Sequence, residues 1–160
     1  MNVARFERVS EEQYAQDTTA LSPALPLREI PLPRRATAGS AGYDFVCPGE
    51  VTLAPGESVT IPTGIRCVME AGWVLLLFPR SSLGFRHEVR LSNTVGVIDS
   101  DYSGAKNEGH ILVRLHNGGD HPVTLRPGER FCQGVLLPHG TAGDEDITAA
   151  RSGGFGSTGR

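Results

Sequence analysis

The sequence has 160 residues, with 20 glycines, 11 prolines and a formal net charge of −3. This length suits one domain, and the glycine and proline content excludes a mainly helical protein because both residues break helices. A weakly acidic chain attracts neither nucleic acid nor an anionic membrane surface, so we expect no nucleic acid and no membrane as partners.

The cysteines Cys47, Cys67 and Cys132 form no CxxC pair. Their odd number and wide spacing argue against a disulfide framework and against a zinc site. Each lies in an apolar run, which predicts a small buried side chain. The N-terminal residues lack the apolar core of a signal peptide, and no apolar stretch reaches about 18 residues, so we expect a cytoplasmic protein.

In chain order, residues 1–22 form a polar N-terminal extension, for which a short helix and a disordered lead are both open. Prolines crowd residues 23–33. They forbid a helix there and predict an extended edge strand over residues 27–31.

The body of the chain, residues 23–140, is predicted to be one all-β domain. Turn signals recur at roughly 8–12 residues, which is typical of a sandwich, barrel or jelly roll. The one helix expected is short, over residues 81–85. Strands are predicted at 43–47, 51–53, 58–61, 64–69, 73–78, 95–98, 111–116, 123–125 and 131–137.

Residues 141–160 differ from the body, because three acidic residues precede a glycine-rich strip that holds one aromatic ring, two arginines and three hydroxyls. Such a segment cannot build a core, so we expect a flexible C-terminal arm. Its backbone N–H groups could wrap an anion and its ring could stack on a base. This composition suits a lid that orders on a nucleotide.

The common catalytic motifs are absent: the sequence has no GxxxxGK[ST], HExxH or GxSxG, and its five histidines have no ligand-like spacing. Polar groups at turns remain as candidates. Arg80 with the hydroxyls of Ser81 and Ser82 suits either a phosphate-binding turn or a simple helix cap. Asp99 follows an apolar run, so we expect it to be partly shielded, as a turn former or as a general base beside a metal-bound phosphate.

Five segments in order resemble the motifs of the trimeric dUTP pyrophosphatase (dUTPase) family, and the resemblance covers about residues 27–160. It implies a jelly-roll-like β-barrel that assembles as a homotrimer with three shared active sites. The segments are AGYDF at 41–45, PRSSLG at 79–84, GVIDSDYSG at 96–104, PGERFCQ at 127–133 and GGFGSTG at 153–159.

The resemblance implies a Mg²⁺-dependent enzyme that hydrolyses dUTP to dUMP and pyrophosphate. Asp99 matches the general base that activates water, Tyr102 the ring that packs under deoxyribose, and Asp44 the carboxylate that contacts Mg²⁺ through water. The remaining matches are Asn93 with the backbone of Val97, Ile98 and Asp99 for uracil, Arg80, Ser81, Ser82 and Gln133 for the phosphates, and Arg151, Phe155, Gly156, Ser157 and Thr158 in the arm.

The sequence departs from the family pattern in three places. Ser82 stands where many members have glycine, and Arg151 lies one residue closer to Phe155 than is usual. Either the arm adjusts or Arg151 does not reach the γ-phosphate. An insertion at residues 105–110 is the third departure, and we interpret it as a candidate loop for a protein regulator.

Two alternatives use the same scaffold. A dCTP deaminase, or a bifunctional deaminase and dUTPase, would need a glutamate beside the site, and Glu108 is the nearest acidic candidate. A protein that only binds a regulator is the other alternative.

Overall fold

The computed structural model describes residues 2–21 and 24–143, and the fold in these residues is mostly β. Its helices are α1 (Glu11–Asp17), α2 (Ser81–His87) and two short 3₁₀ turns, Leu27–Glu29 and Tyr102–Gly104. Its strands are β1 (Ala4–Arg8), β2 (Arg34–Arg35), β3 (Tyr43–Val46), β4 (Val51–Leu53), β5 (Ser58–Pro62), β6 (Ile65–Met69), β7 (Trp73–Pro79), β8 (Val89–Leu91), β9 (Gly96–Ile98), β10 (Leu112–Asn117), β11 (Val123–Leu125) and β12 (Arg130–Pro138).

The largest sheet contains five strands in the order β2-β3-β12-β7-β9, and its neighbouring strands are antiparallel. A second sheet has the order β5-β10-β8, and the pairs β1-β6 and β4-β11 complete the described sheets. Side chains from several sheets meet in one core that includes Phe45, Phe131, Leu75 and Leu115. The prediction of an all-β fold is confirmed.

The local sequence explains the burial pattern along the strands and the turns that connect them. In β6, Ile65, Cys67 and Met69 are buried and alternate with half-buried residues, as the two-residue period of a strand requires. Two of the three Pro-Gly-Glu segments form turns, one before β5 and one before β12. The glycine of each turn, Gly56 and Gly128, has a positive φ that favours glycine.

The N-terminal segment is folded onto the barrel. Strand β1, which the sequence analysis did not predict, pairs with β6. The short helix is confirmed as α1, and the hydroxyl of Ser10 caps it by accepting from the Gln13 N–H at 3.1 Å. Tyr14 is buried, and its hydroxyl donates to the carbonyl oxygen of Leu25 at 2.8 Å.

The strand predicted at residues 27–31 is wrong. The chain forms the 3₁₀ turn Leu27–Glu29 there, and an edge strand begins only at Arg34. The proline spacing explains the difference, because Pro26 can precede a turn as readily as a strand. Burial of Leu27 and Ile30, 4% and 1% exposed, favours the turn.

The three cysteines are free and buried, as predicted. Burial raises the pKa of the Cys47 thiol to about 11 and the pKa of the Cys67 and Cys132 thiols to about 12. They are therefore protonated and unreactive near neutral pH. No helix in the described residues has the length and apolar character needed to cross a bilayer.

Candidate functional site

Neighbouring strands bring together the residues that the sequence analysis assigned to phosphates. Asp44 on β3 lies opposite Gln133 on β12, and Gln133 lies opposite Phe78 on β7. Arg80 follows directly after β7, and its backbone N–H donates to the carbonyl oxygen of Phe131 at 3.1 Å. An open cavity of about 460 Å³ lies between these segments; its lining includes Gly42, Asp44, Arg80, Ser81, Ser82 and Gln133.

Two arginines flank the carboxylate of Asp44, whose side chain is 14% exposed. Arg130 Nη1 donates to Oδ2 at 3.0 Å, and Arg80 Nε lies 3.7 Å from Oδ1. The sequence analysis quoted Arg130 in its fourth motif but gave it no role. Its position, one residue after the Pro-Gly-Glu turn and at the start of β12, is the signal that could have identified it.

The residues that line this cavity suit a metal ion that binds together with a substrate, because the substrate supplies most of the oxygen ligands. The described residues contain no group of three or more His, Cys, Asp or Glu side chains that could hold a metal ion. Mg²⁺ keeps several waters and binds through few carboxylates plus substrate phosphates. Asp44, the one acidic residue in the described lining of this cavity, would therefore suit contact with Mg²⁺ through water.

Helix α2 begins beside this cavity. Leu83 is buried and anchors the helix to the core, while Ser81 and Ser82 are exposed at its first turn. Both hydroxyls line the cavity together with Arg80. Ser82, which replaces the glycine of many family members, therefore adds a polar group at the cavity surface.

The residues assigned to uracil lie on β9 and on the turn that connects β8 to β9. Asn93 is exposed in its turn, where the N–H of Val95 donates to the Asn93 carbonyl oxygen at 2.7 Å. Asn93 and Gly96 line a second, mainly apolar cavity of about 430 Å³. Val97 is 56% exposed, whereas Ile98 is 1% exposed and its side chain lies in the core. Ile98 can therefore reach a ligand through its backbone.

Asp99 and Tyr102 share one turn, in which the Tyr102 N–H donates to the Asp99 carbonyl oxygen at 3.1 Å. The expectation that Asp99 is partly shielded is wrong for a single chain, where Asp99 is exposed. The strand ends at Ile98, so the side chain of residue 99 is already outside the sheet. Tyr102, in contrast, is 3% exposed.

The two cavities share no lining residue. One is lined by the residues predicted to bind phosphates, and the other is lined by Asn93, which is predicted to help read the base. The arm residues Arg151, Phe155, Gly156, Ser157 and Thr158 lie outside the described residues. Within one chain, the structure therefore brings together the phosphate residues at one cavity, while Asp99 and Tyr102 share a turn that follows β9 and Asn93 lies in the turn before β9.

The insertion at residues 105–110 packs against the N-terminal segment. The Glu108 carboxylate accepts from the Ser10 N–H at 2.8 Å and from the Ser10 hydroxyl at 2.6 Å, and these bonds lower the pKa of Glu108. The His110 ring is fully buried, with Nδ1 2.6 Å from Oδ2 of Asp17. Both side chains are therefore engaged within the chain.

Comparison with known proteins agrees with this geometry. The sequence profile of the dUTPase family matches residues 28–159. The deoxyuridine 5'-triphosphate nucleotidohydrolase of Lactococcus lactis is 46% identical over 133 residues, which cover 81% of this chain and 89% of that protein. The enzyme of the same name from Hahella chejuensis is 45% identical over 139 residues, which cover 82% of this chain and 88% of that protein.

The fold agrees as well. The crystal structure of the dUTPase from Streptococcus mutans superposes with a TM-score of 0.68 at 38% identity, covering 86% of this chain and 97% of that one. These relatives bear the names of hydrolases, and nothing in them supports a deaminase. The chain belongs to the dUTPase family.

Proposed function

We propose that this chain is a dUTP diphosphatase, which hydrolyses dUTP to dUMP and pyrophosphate. One observation carries the proposal beyond family membership: Asp44, Arg80 and Gln133, from three separate segments, line one cavity together with two serine hydroxyls. A guanidinium, an amide and hydroxyls are suitable donors for a triphosphate. Phosphoryl chemistry of this kind depends mainly on positioning and charge neutralisation.

In this proposal Arg80, Ser81, Ser82 and Gln133 hold the phosphates. Asp44 contacts Mg²⁺ through water, and Arg130 fixes the carboxylate by its 3.0 Å bond. When bound, Mg²⁺ neutralises phosphate charge and orients the triphosphate. The protein supplies few direct ligands because the phosphates provide them.

Asp99 is proposed as the general base that removes a proton from the attacking water. The resulting hydroxide attacks the α-phosphorus, and the bond to the bridging oxygen of pyrophosphate breaks. The Asn93 side chain and the backbone of Val97, Ile98 and Asp99 read uracil, and Tyr102 packs under the sugar. A base with the wrong donor pattern would leave buried polar groups unpaired, at a cost of ~1–3 kcal/mol each.

We propose that a homotrimer unites the two groups of residues, those at the phosphate cavity and those around β9. Asp99 is exposed in one chain, and a general base works better when a second subunit limits its contact with water. Each group also lies near an exposed apolar side chain, Phe85 at 92% and Val97 at 56% exposure. Subunit contacts would cover such side chains. The C-terminal arm, with Arg151, Phe155, Gly156, Ser157 and Thr158, is proposed to close over the bound nucleotide.

The direct test is incubation with dUTP and Mg²⁺, followed by separation of the products. We expect dUMP and pyrophosphate; release of orthophosphate, or no turnover, would refute the proposal. Asp99→Asn should abolish nearly all turnover while a non-hydrolysable dUTP analogue still binds. Ammonia release from dCTP would revive the deaminase alternative.

We place the enzyme in the cytoplasm, because its proposed substrate is a nucleotide of that compartment.

Regulator binding through residues 105–110 stays a prediction. Among these six residues only Lys106 is exposed, which leaves a small surface for a partner. A regulator that uses this loop should lose affinity for Lys106→Glu, while hydrolysis of dUTP continues unchanged.

A further inference from the structure

The insertion supplies two hydrogen-bond partners to the hydroxyl of Tyr102. This hydroxyl donates to the carbonyl oxygen of His110 at 3.0 Å and accepts from Nδ2 of Asn107 at 2.8 Å. A buried phenol needs such partners, and here they lie only five and eight residues along the chain. The orientation of the ring therefore depends on where residues 107–110 lie.

Because residue 109 is a glycine, residues 107–110 can pack closely against the turn that contains Tyr102. A Cβ at position 109 would lie 2.6 Å from Cα of Ser103 and 2.7 Å from the carbonyl oxygen of Tyr102. Both are backbone atoms, so they cannot move aside as the end of a side chain can. Gly109 also has φ of 73°, and Glu108 before it has φ of 59°. The segment is thus held in one conformation against the turn that follows Asp99.

The N-terminal segment holds the same residues from the other side. The imidazole of His110 faces the carboxylate of Asp17 through Nδ1, and its Nε2 accepts from the Gly64 N–H at 2.7 Å. Because Nε2 is an acceptor, Nδ1 is the donor, and the ring is neutral. The Glu108 carboxylate accepts two hydrogen bonds from Ser10. The polar side chains of Glu108 and His110 therefore both hold the loop in place.

We propose that Asn107 and His110 are positioning residues that hold Tyr102, and with it the Asp99 turn. The N-terminal segment holds the same loop, because Asp17 contacts His110 and Ser10 contacts Glu108. This inference rests on the proposed function only for the part played by Tyr102 in substrate binding. The N-terminal segment and the insertion then have the same role within the chain, which is to hold Tyr102 in position.

The first experiment is a double-mutant cycle on kcat/KM for dUTP with Asn107→Leu and Tyr102→Phe. Asn107→Leu removes the donor to the Tyr102 hydroxyl, and we expect a roughly threefold to tenfold fall in kcat/KM. In the Tyr102→Phe background the same change should have less than about twofold effect, because the acceptor is already gone. Equal effects in both backgrounds would overturn the proposal. Lys106→Ala is the control, because Lys106 is exposed and precedes Asn107. Its kcat/KM should equal that of the unmodified chain.

A second pair of variants does not depend on turnover. Gly109→Ala should increase amide hydrogen exchange over residues 99–105, whereas Gly104→Ala, where a Cβ meets nothing within 4 Å, should not. Unchanged exchange in Gly109→Ala would refute the positioning role even if dUTP is hydrolysed. If the unmodified chain does not hydrolyse dUTP, the proposed function fails, while hydrogen exchange still decides whether residues 107–110 hold the Tyr102 turn.

Discussion

Gly42 lies against the side-chain amide of Gln133, and a Cβ at position 42 would come within 2.5 Å of Oε1. That atom is the end of a flexible side chain, so Gly42→Ala should displace the amide at little cost in stability. We expect kcat/KM for dUTP to fall about tenfold or more because a phosphate donor is lost. Gly39→Ala, with open space around its Cβ, is the matched control. Unchanged kinetics in Gly42→Ala would show that Gln133 does not bind substrate.

Arg130 should matter for activity more than for stability. Its side chain is 49% exposed, and exposed ion pairs contribute roughly 0–1 kcal/mol. Arg130→Met nevertheless frees the carboxylate of Asp44 to rotate. We expect about a tenfold fall in kcat/KM and a higher Mg²⁺ concentration for half-maximal rate, measured by titration of the metal. Arg126→Met, an exposed arginine on the preceding turn, should leave both quantities unchanged; a similar loss there would contradict the role given to Arg130.

His110 should make folding stability depend on pH. Burial lowers the pKa of His110, although Asp17 and Glu108 nearby oppose the shift. Below its ordinary pKa, near 6.5, the unfolded chain binds a proton that the folded chain does not. Stability contributed by His110 is therefore full above about pH 6.5 and falls as pH drops, by at most about 1.4 kcal/mol per pH unit.

Denaturant unfolding between pH 5 and pH 7.5 measures this dependence. His110→Gln cannot titrate, so its curve should be flatter over that range. Glu108, whose pKa is lowered, contributes stability that is lost only at lower pH. Equal slopes for the two proteins would show that His110 is not held neutral in the fold.

Gly134 occupies a crowded position in the middle of the five-stranded sheet. A Cβ there would lie 2.8 Å from Cδ1 of Leu75 and 3.2 Å from Cε2 of Phe45, both buried. Gly134→Ala should lower the free energy of unfolding by about 1–3 kcal/mol through overpacking, measured by denaturant titration. Gly140→Ala, with open space around its Cβ, should change stability little. Equal stability of the two variants would contradict this packing.

The sequence predicted the parts of the site that depend on local order along the chain. Turn chemistry located most strands, and the motif around Arg80 correctly placed a short helix after the most apolar strand. Asp44 was assigned to Mg²⁺ and Gln133 to the phosphates, and the structure places these two residues opposite each other in one sheet. Short-range signals of this kind give correct predictions because they fix the local backbone conformation.

Long-range pairing could not be predicted in the same way. Strand β1 pairs with β6, which lies about 60 residues away, and no local signal indicates that partner. The bond between Glu108 and Ser10 spans 98 residues, and no local signal in the sequence indicates that the insertion contacts the N-terminal segment. The exposure of Asp99 was missed because an apolar run reports the burial of its own residues and not of the residue that follows.

In the proposed homotrimer, Asp99 and Arg80 act on one nucleotide from different subunits. Asp99→Asn and Arg80→Ala should therefore each be inactive alone. Unfolded together and refolded, they should recover roughly one quarter of the unmodified activity, because random assembly gives that share of sites both intact residues. If mass spectrometry confirms mixed oligomers but no dUTP is hydrolysed, the two residues do not meet across a subunit boundary, and the account is contradicted.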